Sequence, residues 1–369
     1  MPANVIGLQP DVTEPSDPVV APLGTRVEAP MLVHQIERRA WGEGREGVIL
    51  VLGTSAGRIG TAPLWGERQA WAANVARGTI VHASGRVGAF RGVRQLELSG
   101  LRVAPADSVP LRALVPGTTT TIADWTVLDE ARRALRRPRL RRVLGLFYDD
   151  PPFRSAYEEC PASTAGHHAQ LGGLLRHTVE VVAIARAVAI TSGADRELVL
   201  AGAMLHDVGK LEAYAWRRGV FELTEAGALL GHVTLGMLML DRHLARHAPD
   251  CTHREVLLLQ HLIASHHGVL EHGAPVRPMT LEAEVLHYAD DASAKTSSMA
   301  DALASSEYFN GNDVLSARSL WQVDHRRIFR GRSEWGESVD HRGANPVTAD
   351  NANGCWKAGH AEHAEHDER

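Results

Sequence analysis

The spacing of hydrophobic and polar positions changes character once along the ordered part of the chain. From Arg26 to Ala104, runs such as "EGVILVLG", "GTIVHASGRVGAF" and "VRQLELSGLRVA" place β-rich residues between glycine-containing turns. Several short strands in this span predict a small barrel or sandwich. Within it "FRGVRQLEL" reads as a hairpin, with Arg91 and Gly92 at the turn and Val93, Gln95 and Glu97 on one face. Past Pro105 the strand signal disappears, and apolar residues recur at helical spacing to about Arg330. "GGLLRHTVEVVAIARAVAI" is one such helix. A second, "DRELVLAGAMLHDVG", has Asp195 as its N-cap and stops at Gly209. A third starts from Thr224, a fourth runs through "HREVLLLQHLIASHHG", and a fifth begins at Thr280.

The expected organisation is α+β and multidomain. A disordered arm covers residues 1–25, a β domain 26–105, a helical linker 106–160, an all-α bundle 161–332, and a disordered tail 333–369. At 369 residues and 44% hydrophobic composition, the chain has room for two ordinary cores. It contains no apolar run of membrane-spanning length and no basic-then-apolar leader at its start, which predicts a cytoplasmic protein with no membrane partner. Cys160, Cys251 and Cys355 are far apart and form no CxxC pair, so they read as plain thiols. A net charge of −5 does not announce a nucleic-acid binder. "RRALRRPRLRR", with Arg132, Arg133, Arg136, Arg137, Arg139, Arg141 and Arg142, reads equally as a solvated linker or a phosphate-binding patch. His360, His363 and His366 in the tail read as solvated histidines.

Chemistry concentrates in the helical region. "AGAMLHDVGKLEAY" carries His206 and Asp207 inside an apolar segment, where a charge without a partner or a metal ion would cost several kcal/mol. Alone, the pair is explained as well by a hydrogen-bonded core histidine. Its company shifts the balance. His177, His232, His266, His267, Asp290 and Asp291 lie on further helices of the same region. Imidazoles and carboxylates converging from several helices build two-metal sites, and this donor mix suits Mn²⁺, Fe²⁺, Co²⁺ or Zn²⁺ better than Ca²⁺.

The ordered set resembles the HD superfamily of metal-dependent phosphohydrolases. By that resemblance His177, His206, Asp207 and Asp290 hold one metal, and Asp207 bridges to a second held by His232 and His266, with His267 and Asp291 as alternates. "HHAQLGGLLRHT", "LAGAMLHDVGKLEAY", "GHVTLGMLML" and "SHHGVLEHGAPVRPMTLEAEVLHYADDASAK", together with the small β domain, are similar to the bacterial YhaM-type 3′→5′ exoribonucleases. The likeness implies an OB-like barrel followed by an HD bundle. It further implies two divalent ions, Mn²⁺ first among them, and a single-stranded nucleic-acid partner, RNA before DNA. Arg176 stands where the family usually has an acidic residue before its first ligand histidine.

On this reading Asp207 is catalytic through the metals, and Lys210 reaches a phosphate oxygen or is a solvated helix-end lysine. His167, His168 and Arg277 are candidate substrate contacts. Trp41, Trp65, Trp71 and Phe90 are the aromatics available for base stacking, if they are not core. A small-nucleotide phosphohydrolase and a di-iron oxygenase use similar ligand sets and stand as the alternative activities. A homo-oligomer is compatible with the chain.

Overall fold

The computed structural model describes residues 17–41, 45–105, 108–118, 120–164, 168–217, 219–247, 250–304, 308–309 and 314–331, the side chain of residue 41 excepted. The expected arm up to residue 16 and the tail from residue 332 lie outside them, with His360, His363, His366 and Cys355. Residues 17–25 fall inside and correct the expected arm: Ala21 is buried in the barrel core, and the backbone of Gly24 and Thr25 exchanges hydrogen bonds with Val87 at 2.7 and 3.0 Å.

Five strands close into a barrel: β1 (Arg26–Trp41), β2 (Arg45–Thr54), β3 (Gly57–Thr61), β4 (Ile80–Phe90) and β5 (Val93–Val103), in the order β1-β2-β3-β5-β4. Closure comes from a short parallel pairing of β3 with β5 at Gly60–Gln95 and Thr61–Leu96, the OB-like arrangement. Alternate residues point inward, so Val48, Leu50, Leu52, Leu96 and Leu98 fill the interior with Met31, Val33 and Val81. The predicted hairpin is present, with Phe90 opposite Val93 and both Arg91 and Gly92 at positive φ.

Nine helices follow among the described residues: α1 (Thr121–Arg133), α2 (Pro138–Tyr148), α3 (Pro151–Glu159), α4 (Gly173–Ser192), α5 (Arg196–Leu205), α6 (Lys210–Ala213), α7 (Glu225–His247), α8 (His253–Ser265) and α9 (Leu281–Ala304). Asp195 caps α5, and the Thr224 hydroxyl accepts from Gly227 N at 2.9 Å, as the sequence predicts. Two expectations are corrected. The helical region contains a hairpin, β6 (Tyr214–Arg217) with β7 (Val220–Leu223), because aromatic, strand-favouring residues flank a turn at Gly219, whose φ of 77° suits glycine. Second, α1 to α3 are no solvated linker: Trp125, Leu128, Phe147, Tyr148 and Tyr157 share one core with α4, α5, α8 and α9.

Much of the arginine-rich segment is spent on ion pairs within that bundle. Arg132 meets Asp149, Arg137 meets the α5 cap Asp195, and Arg139 meets Glu255 at 3.2 Å. Arg133, Arg136, Arg141 and Arg142 remain exposed. The barrel joins the bundle through an apolar cluster of Leu32, Ile80, Ala104, Leu114, Val115 and Phe221. Arg77 reinforces it by donating to Phe221 O at 3.0 Å. No helix among the described residues is long and apolar enough to cross a membrane.

Candidate metal centre

α5 is apolar on every buried face and ends at Leu205, so His206 and Asp207 fall on the turn just beyond it rather than in a continuing helix. A helix end leaves carbonyls without intrahelical partners. The His206 ring uses one of them: its Nδ1–H donates to Ala203 O at 2.8 Å. His266, immediately past the end of α8, does the same with Ile263 O at 2.7 Å. In both rings a carbonyl can only accept, so the proton is fixed on Nδ1 and the Nε2 lone pair faces the bundle interior.

His232 reaches the same place by a different route. α7 is broken at Gly231, whose φ of 71° only glycine adopts readily, and His232 opens the segment that follows. That segment lies against Gly209, where an added Cβ would stand 2.0 Å from His232 O and 2.3 Å from Gly236 N. Glycine is therefore required at position 209 for α7 to come this close.

The two oxygens of Asp207 divide the histidines between them. Oδ2 lies 3.4 Å from His177 Nε2 and 3.2 Å from His206 Nε2. Oδ1 lies 3.3 Å from His232 Nε2 and 3.7 Å from His266 Nε2. Asp290 Oδ1 completes the first group, 3.0 Å from His177 and 3.9 Å from His206. A cation bound at about 2.0–2.2 Å from each donor separates neighbouring donor atoms by about 3–3.5 Å, close to this spacing. Asp207 Oδ1, His232 Nε2 and His266 Nε2 are buried without a hydrogen-bond partner, a costly arrangement that a divalent ion would satisfy. The donor set thus fits a divalent metal.

Electrostatics point the same way. Burial pushes against charge on Asp207 and Asp290, but Lys210 with His206 and His177 outweighs it at Asp207, and His177, His206 and His266 outweigh it at Asp290, holding both carboxyls well below their usual range. Burial lowers His232 to about 3 and His266 well below its ordinary value, which keeps both rings neutral with lone pairs available. His177 is the exception: burial opposes charge on it, yet its contacts with Asp207 and Asp290 raise it to about 9, so a cation binding there must displace the proton from its Nε2.

The structure brings together His177, His206, Asp207, His232, His266 and Asp290. Of the alternates, Asp291 turns away to Lys295 at 3.1 Å, while the His267 ring stays 4.2 Å from His266 and 4.9 Å from His232. Lys210 is not a solvated helix end: it is buried, with Nζ 2.5 Å from Asp207 Oδ2. His168 does not face the cluster openly but binds Glu180 Oε2 at 3.0 Å. His167 lies outside the described residues, and Arg277 is exposed on the loop between α8 and α9. On the barrel, Trp65 and Phe90 are exposed, Trp71 packs against the core, and the Trp41 side chain is outside the described residues.

Sequence reasoning missed Glu180 and Ser293. Each stands three residues after a candidate ligand on its own helix, His177 on α4 and Asp290 on α9, and that helical spacing was the available signal.

The family model for the HD domain matches residues 174–295. The 3′-5′ exoribonuclease YhaM of Bacillus subtilis (strain 168) is 32% identical over 308 residues, 81% of this chain and 96% of that protein. The chain belongs to the YhaM family. A YhaM relative from Shouchella clausii is also 32% identical, over 76% of this chain and 87% of its own length. Both alignments are long enough to take in barrel and bundle together, so the YhaM likeness is one of whole architecture and not of the HD motif alone. No solved structure matches the chain.

Proposed function

We propose that the chain is a metal-dependent 3′→5′ exonuclease. It hydrolyses phosphodiesters of single-stranded RNA, and possesses the groups to do so on DNA, releasing nucleoside 5′-monophosphates. One observation carries the reading: the two oxygens of a single buried carboxylate, Asp207, each face a pair of histidines inside an HD domain. The names of the YhaM relatives support the direction and the RNA substrate. His177, His206, Asp207 and Asp290 would hold one ion, and His232 and His266 the other with Asp207 shared between them. Mn²⁺ is the ion proposed, and Fe²⁺, Co²⁺ and Zn²⁺ suit the same donors.

When bound, such a pair supplies a Lewis acid for a phosphodiester oxygen and lowers the pKa of water at the site. The protein's own share is largely positional. Neutral His232 and His266 and ionised Asp207 and Asp290 are set before substrate arrives, so little reorganisation accompanies the reaction. Lys210 places a cation beside Asp207, from which a short swing would bring it to a phosphate oxygen. Arg277, on an exposed loop following the α8 histidines, is proposed to contact the nucleic-acid backbone. Phe90 and Trp65, exposed on the barrel, are proposed to stack against bases. A cytoplasmic setting agrees with Cys160 and Cys251, which are free thiols.

The test is degradation of 5′-labelled single-stranded RNA and DNA by metal-stripped protein resupplied with Mn²⁺. The expected result is a ladder shortening stepwise from the 3′ end, slowed more than about a hundredfold in Asp207→Asn, since even outer groups of metal sites are worth 10–100-fold. Oligomers left intact, or cut only internally, would sink the proposal.

A further inference from the structure

His177 differs from the other histidines of the cluster in how its ring is held. His206 and His266 use carbonyls left over at helix ends. His177 lies inside the twenty-residue α4, where the carbonyls are taken up by the helix itself, so its Nδ1 must find a side chain. It finds Ser293 Oγ of α9 at 3.0 Å. The Ser293 hydroxyl proton is directed at Glu180 Oε2, 2.9 Å away, which leaves the oxygen to accept from His177. Glu180 is anchored in turn by three donors: Arg176 Nε to Oε1 at 3.1 Å, His168 Nε2 to Oε2 at 3.0 Å, and Ser293. Arg176 extends the chain of contacts to Asp124 of α1 at 3.1 Å.

We infer that Ser293 and Glu180 form a positioning relay that pins the His177 ring with its proton on Nδ1 and its Nε2 lone pair toward the metal, an inference that rests on the metal-centre reading above. The direction of each hydrogen bond follows from its neighbours. Glu180, as a carboxylate held ionised by His168 and Arg176, accepts only, so Ser293 donates to it and must accept from His177. A carboxylate at the far end of such a chain also raises the basicity of the ligand. The relay explains why Arg176 can stand beside His177: its charge is directed to Glu180 and Asp124 rather than to the cluster. It assigns His168 a role as an anchor of the relay.

The experiment is Mn²⁺ titration by calorimetry of the full chain carrying Ser293→Ala, Ser293→Thr or Asp207→Asn, beside the parent, with thermal melts of each metal-free protein to register folding. Ser293→Ala is expected to weaken Mn²⁺ binding at one of the sites by about 10–100-fold with an unchanged melt, and Ser293→Thr, which keeps the hydroxyl, to recover most of that loss. A helix-packing role alone would not be rescued by a larger side chain at a fully buried position. If Ser293→Ala binds as the parent does while Asp207→Asn does not, the relay is overturned and the metal centre stands. A parent that binds no Mn²⁺ overturns both.

Discussion

At the scale of single residues, Lys210 is the informative one. Its ammonium lies 2.5 Å from the same Asp207 oxygen that faces His177 and His206, so in the metal-free protein it partly neutralises a carboxylate that a cation would claim. Removing it takes away a competitor for the metal and a charge for the phosphate. Lys210→Gln is therefore expected to bind Mn²⁺ at least as tightly as the parent while its turnover falls by about a hundredfold, the usual cost of losing one stabilising donor. Calorimetry beside initial rates checks this, and weaker Mn²⁺ binding would contradict it. The side chains that the structure gathers around Asp207 were legible in the sequence as candidates, since His177, His206, Asp207, His232, His266 and Asp290 each interrupt an apolar helical pattern. The burial of Lys210 was not, because a lysine beside a glycine at a helix boundary has the same local pattern whether it faces solvent or a carboxylate.

Among the elements, β1 carries a feature that its alternation conceals. The register of β1 against β2 shifts between Val33 and Gln35, and His34 at that irregularity is buried with neither ring nitrogen hydrogen-bonded. Burial, with Arg58 and Arg77 adding to it, lowers its pKa to about 3 from 6.5. The unfolded chain therefore takes up a proton near pH 6.5 that the folded barrel refuses until about pH 3. The stability from keeping His34 neutral is complete above pH 6.5 and is lost as pH falls through that window. Relative to His34→Leu, the parent should lose about 1.4 kcal/mol per pH unit inside it. Denaturant melts of both proteins between pH 7 and pH 4 measure the difference, and parallel pH profiles would contradict it. The Gly231 break in α7 was hidden for a related reason: helical spacing continues on both sides of it, and a glycine within a helical pattern does not announce a change of backbone direction.

For the whole molecule, the two-part order of barrel then bundle was legible because the period of the apolar pattern changes at Pro105. The true extent of the bundle was not. The arginines of residues 132–142 mask buried Leu135 and Val143, and charge density read as solvation hides that these arginines pair with carboxylates of other helices. The core that α1 to α3 share with the helices carrying the histidine cluster leads to a sharp prediction. A fragment starting at residue 161 loses Trp125, Phe147, Tyr148 and Tyr157 from that core and is expected to be insoluble or unfolded. One starting at residue 108 is expected to fold, with the far-ultraviolet spectrum of a helical protein and a cooperative melt. Cooperative folding of the shorter fragment would contradict the assignment of these helices to the bundle.

Asp207 is proposed to bridge two cations held by two sets of histidines. Anomalous scattering from crystals soaked in Mn²⁺ tests it most directly. Two peaks are expected, one on each side of the Asp207 carboxylate, the first within coordinating distance of His177, His206 and Asp290 and the second of His232 and His266. A single peak, or peaks away from these side chains, would contradict it.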